Sequence, residues 1–134
     1  MKETIRHIRT TAEFHIDEGC HIIEMLQADD DPRLSIARAR VEPGATTRWH
    51  RLNGITERYV VIEGEGLVEV GSLAPQQVHP GDVVLIPPGC RQRISNTGPG
   101  DLLFLAICTP PFQPGAYQDI EDTCLNHPMP RRTP

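Results

Sequence analysis

Two stretches decide the reading of this chain: GATTRWHRLNGITERYVVIEG, residues 44–64, and GDVVLIPPGCRQRISN, residues 81–96. Each opens on a Pro-Gly step, at Pro43-Gly44 and at Pro80-Gly81, and each is broken again by glycine, at Gly54, Gly64 and Gly89. Val, Ile, Tyr and Thr pack well on a pleated strand, whereas Gly and Pro supply the dihedrals of tight turns. Working outward, residues 34–41 (LSIARARV), 56–62 (TERYVVI), 66–70 (GLVEV), 82–86 (DVVLI), 91–95 (RQRIS) and 102–108 (LLFLAIC) read as short strands. They recur about every ten residues between turn signals. No helical stretch of ten or more residues interrupts them, which argues against a βαβ fold and predicts an all-β, antiparallel sandwich or barrel.

The 134 residues suffice for one domain with one core, with Gly 11 and Pro 13 as heavy punctuation. Residues 1–31 mix short apolar patches with polar breaks and end in the turn Asp29-Asp30-Asp31-Pro32. The barrel is expected over residues 32–112. A short helix is expected at 114–124 (PGAYQDIEDTC), within a C-terminal segment 113–134 whose tail, residues 127–134, reads as mobile. Eighteen acids against 13 bases, net charge −5, argue against a nucleic-acid partner. The uncharged run 102–118 is broken by Pro110, Pro111 and Pro114, so no membrane span is expected, and the N-terminus lacks the apolar run of a secretory signal. A cytoplasmic location follows as the expectation. Cys20, Cys90, Cys108 and Cys124 show no CxxC spacing and read as reduced thiols.

The two opening stretches resemble the motif pair of the cupin superfamily. Gly44, His50, Glu57 and Gly64 fall on the first motif, and Gly81, Pro87, Gly89 and Asn96 on the second. The resemblance covers about residues 34–110 and implies an antiparallel cupin β-barrel, the double-stranded β-helix or jelly roll. It also implies a divalent metal, but two of the usual ligand histidines are replaced, by Leu52 and by Gln92.

Residues two apart on a strand share a face, so Arg48, His50 and Leu52 form one set, Glu57, Tyr59 and Val61 a second, and Cys90, Gln92 and Ile94 a third. If the three sets line one barrel, His50, Glu57 and Gln92 converge as imidazole, carboxylate and amide-oxygen donors for Fe, Mn, Zn or Ni. Arg48 and Tyr59 then stand ready to orient a small anionic or carbonyl-containing substrate, with Glu57 beside them in a catalytic role. Oxygenase, isomerase and decarboxylase chemistries all suit such a site. Two alternatives stay open: a non-catalytic sensor or binding module, and a metal-free His50/Glu57 acid-base pair. Trp49 has outward parity, suited to packing against a partner chain or a second layer rather than to a pocket role. The resemblance implies a homodimer, with residues 1–31 as the natural arm.

Overall fold

The computed structural model describes residues 1–126. Its strands are β1 (Phe14–Ile16), β2 (Cys20–Leu26), β3 (Ser35–Val41), β4 (His50–Leu52), β5 (Thr56–Glu63), β6 (Gly66–Val70), β7 (Gln76–Val78), β8 (Val83–Ile86), β9 (Gln92–Asn96), β10 (Leu102–Thr109) and β11 (Tyr117–Asp119). One short helix, α1 (Glu121–Asn126), closes the described residues. The strands form a six-stranded sheet, β1-β2-β3-β10-β5-β8, and a five-stranded sheet, β11-β4-β9-β6-β7. Every pairing among the described residues is antiparallel, so the all-β antiparallel fold expected from strand spacing, and the jelly roll that the cupin resemblance implies, is the fold.

Alternating burial shows why these segments take up strands. On β5, Glu57, Tyr59 and Val61 are buried while Thr56, Arg58 and Val60 are partly exposed. On β9, Gln92, Ile94 and Asn96 turn inward. Val41, Val61, Ile86, Ile94, Leu102 and Phe104 are each at most 2% exposed and meet between the sheets. Burial of such side chains contributes roughly 1.5–3 kcal/mol apiece. Asn96 pins the turn before β10: its amide donates to the carbonyls of Val41 and Gly100, both at 2.8 Å, and its Oδ1 accepts from Gly98 N.

The sheet begins earlier than the sequence suggests. Residues 1–31, expected as an N-terminal segment and natural dimer arm, place β1 and β2 in the six-stranded sheet. There β2 pairs with β3 through Ile22↔Ala39 and Ile23↔Arg38. Arg38 and Arg40 both donate to the Glu13 carboxylate, which ties the incoming chain to the outer face of β3. The C-terminal segment differs too. Tyr117–Asp119 pairs with β4, so the helix expected at 114–124 becomes a 3-10 turn at Pro114–Ala116, a strand, and then α1. Asp119 Oδ1 accepts the Glu121 N–H at the start of α1. The tail at 127–134 lies outside the described residues. Trp49 is 5% exposed and lies between the guanidinium groups of Arg91 and Arg93, at 4.3 and 4.4 Å, so its own chain already covers it. No described helix is long and apolar enough to cross a membrane.

Candidate functional site

Between the sheets lies a cavity of about 590 Å³. Its apolar walls come from β2, β3 and β10, among them Ile22, Ala39, Phe104 and Ala106, and its polar end is built by His50, Glu57, Tyr59 and Glu18. Strand alternation places Glu57 and Tyr59 on the inward face of β5, and β4 turns His50 toward them. Glu18 comes from the turn between β1 and β2. That turn uses Gly19 at φ +101°, a conformation that favours glycine, and is tied down by Arg48 N donating to the Glu18 carbonyl at 2.8 Å.

His50 is 2% exposed and its orientation is set by the backbone. Nδ1 lies 2.7 Å from the Arg48 carbonyl, which can only accept, so Nδ1 carries a hydrogen. The other nitrogen, Nε2, then faces Glu18 Oε1 at 3.4 Å. The ring stacks on Tyr117, with centroids 5.2 Å apart and planes inclined by 22°. A buried carboxylate is costly unless it is paired. Burial first, and then the charge of Glu18, push the Glu57 carboxyl up from 4.5 to about 8, opposed in part by the Gln92 amide and the Cys108 thiol. Cys108 Sγ donates to Glu57 Oε2 over 3.7 Å, while Glu57 Oε1 has no protein partner. Burial and the Glu57 carboxylate push Cys108 up to about 12, and burial with Glu18 raises Cys20. Both thiols therefore stay protonated and unreactive.

The structure brings His50, Glu57 and Tyr59 together at one end of the cavity and leaves Arg48 outside. Strand β4 starts at His50, so the two-residue alternation does not extend back to Arg48. Its guanidinium instead bonds to Asp119 at 2.5 Å, with 42% of the side chain exposed. Gln92 is fully buried beneath the site, and its Oε1 accepts the Tyr59 hydroxyl at 2.5 Å. The oxygen expected to meet a metal is thus engaged, and the amide nitrogen, Nε2, makes no hydrogen bond of ordinary geometry, although it lies near enough to Glu57 to favour the charged carboxylate. Among the described residues no three His, Cys, Asp or Glu side chains form a group that could hold a metal ion. Of the set expected to hold a divalent ion, His50 and Glu57 reach the cavity, while the Gln92 oxygen is turned to Tyr59. Sequence reading missed Glu18 and Tyr117. The signal for the first was Asp17-Glu18-Gly19, a hairpin turn between two short alternating runs.

The family model for the cupin domain matches residues 37–108. An oxalate-binding protein of Thermotoga maritima is 33% identical over 91 residues, 67% of this chain and 73% of the relative. An (R)-mandelonitrile lyase of Granulicella tundricola is 35% identical over 65 residues, so the chain spans 49% of that relative's length and is itself 48% covered. Among solved structures, KdgF from a Halomonas species superposes with a TM-score of 0.73 at 15% identity. That match covers 84% of this chain and 97% of KdgF, and supports the fold alone.

Proposed function

The chain belongs to the cupin domain family, and we propose that its cavity binds a small organic molecule and exchanges a proton with it at Glu57. One observation carries this reading: a cavity-lining carboxyl, 8% exposed, whose Oε1 meets no protein partner. A carboxyl near pKa 8 holds its proton at neutral pH yet can release it within the physiological range, which is what acid-base exchange requires. Cys108 braces Oε2 and so leaves Oε1 as the exchanging atom. His50, oriented by the Arg48 carbonyl and stacked on Tyr117, presents Nε2 beside the same space. Tyr59, bonded to Gln92, braces the floor. The Thermotoga relative named for oxalate binding supports a small-molecule ligand, and the lyase relative supports chemistry on one.

The test is a thermal-shift screen of small organic compounds on exhaustively chelated protein. Compounds that stabilise the wild type should do so equally before and after chelation, and Glu57→Gln should lose that response. A response that appears only on adding Mn²⁺ or Fe²⁺ would overturn the metal-free reading.

The proposal extends to assembly as a homodimer. Ile62, Val83 and Leu85 are 50%, 63% and 61% exposed on the outer face of the six-stranded sheet. Val60, paired to Val83 and Leu105, continues the same apolar face. A second copy that covers this face removes several large side chains from water. Light scattering should give twice the monomer mass, and Val83→Glu with Leu85→Glu should return the monomer; a monomeric wild type refutes this.

A further inference from the structure

The oxalate relative makes an anionic ligand the obvious expectation, yet the charges around the cavity point the other way. Among the described residues, no Arg or Lys lines it. Arg48 is engaged outside with Asp119, and Arg38 and Arg40 with Glu13 on the outer face. The carboxylates that do line it are Asp17, Glu18, Glu24, Asp29 and Glu57. Glu18 and Glu57 sit at the buried end, and Glu57 Oε1 has no protein partner although the residue is more than nine-tenths buried. Both nitrogens of His50 already face acceptors, the Arg48 carbonyl and Glu18. A free dicarboxylate placed here would meet the charge of Glu18 and oppose the ionisation of Glu57, with no Arg or Lys in the lining to compensate, an unfavourable arrangement in a low-dielectric site.

From this arrangement, and resting on the reading of the cavity as a small-molecule site, we infer that the ligand is a small organic cation. Its protonated amine lies between Glu18 and Glu57, and its apolar body fills the space bounded by Ile22, Ala39, Phe104 and Ala106. An ammonium supplies the donors that Glu57 Oε1 lacks and favours the ionised form of that carboxyl, and it adds to the pairing of Glu18 that the long contacts to His50 and Cys20 leave partial. The apolar walls accept a hydrocarbon or aromatic body without leaving polar groups unpaired.

Three probes of nearly equal size separate the alternatives: phenethylamine, 2-phenylethanol and phenylacetate, titrated calorimetrically into chelated full-length protein at pH 7. Phenethylamine should bind roughly tenfold or more tightly than 2-phenylethanol, and phenylacetate should not bind measurably. Glu18→Gln and Glu57→Gln should each weaken phenethylamine several-fold and leave 2-phenylethanol nearly unchanged, which distinguishes lost charge from lost folding. Equal binding of the amine and the alcohol, or no binding of the amine, overturns the inference. Tighter binding of phenylacetate or of metal-free oxalate, still lost in Glu57→Gln, overturns the inference while the cavity reading stands. Phenethylamine binding indifferent to Glu57→Gln sinks the cavity reading itself.

Discussion

Glu57→Gln should stabilise the protein at pH 8 and leave it nearly unchanged at pH 5. The Glu57 carboxyl is raised from 4.5 to about 8, by burial first and by the Glu18 charge second. Above pH 4.5 the unfolded chain releases this proton, while the folded chain keeps it until about pH 8. The folded state then binds more protons than the unfolded one, so stability falls as pH rises through that window and levels off above it. Each pH unit is worth about 1.4 kcal/mol, so the loss is of order 4 kcal/mol. A glutamine has the shape of the protonated acid and no proton to lose. In a domain of this size the gap between variant and wild type should open from near zero at pH 5 to roughly 10–15 °C at pH 8. Calorimetric melting curves at half-unit steps provide the check. Parallel curves for the two proteins would show that Glu57 titrates like an ordinary surface acid, and the proton-exchange proposal would fall with it. The same substitution should weaken binding of a cationic ligand several-fold, so stability and function move in opposite directions at one residue.

Gly64→Ala is expected to be the most damaging of the glycine substitutions in the two motifs. Gly64 sits at φ +86°, where an L side chain already costs about 1–2 kcal/mol. An added Cβ would also lie 2.5 Å from the Asp101 carbonyl oxygen and 3.0 Å from Leu102 Cα. Both are backbone atoms, so no side-chain rotation relieves the clash, and overpacking adds about 1–3 kcal/mol. A total near 2–5 kcal/mol lowers the midpoint by roughly 6 °C or more. Gly81→Ala is the control: φ is +95°, but nothing lies within 4 Å of the new methyl, so only the dihedral cost remains. Equal melting points for the two variants would refute the steric argument.

These two glycines show how much was legible in advance. Both were readable as turn positions, Gly64 because it ends a β-branched run and Gly81 because it completes a Pro-Gly step. That one corner presses against the turn before β10 and the other opens to solvent depends on residues nearly forty positions away. His50, Glu57 and Tyr59 were likewise legible, since two-residue alternation holds wherever a strand is continuous. Arg48 failed for the same reason in reverse: the strand begins two residues later, and Asp119, from a segment expected to be helical, captured the side chain. Gln92 was correctly placed on an inward face, but its oxygen went to Tyr59 rather than to open space. Local periodicity names the face and says nothing of the partner found there.

The sequence by itself determined the all-β architecture, the strand period, the turn glycines and the inward set that includes Glu57. These follow from backbone sterics and hydrophobic alternation, which act over a few residues. Only the tertiary structure decided the charge of the cavity. The pairing of β1-β2 onto β3 delivers Glu18 to His50 across 32 positions of chain, and the Glu18 charge adds to the burial that lifts Glu57 out of the ordinary carboxyl range. The arginines that composition offered to an anion are meanwhile directed to Glu13, Asp119 and Trp49 on the outside. Electrostatic character depends on which charges meet in low dielectric, and that is set by long-range packing rather than by any local pattern.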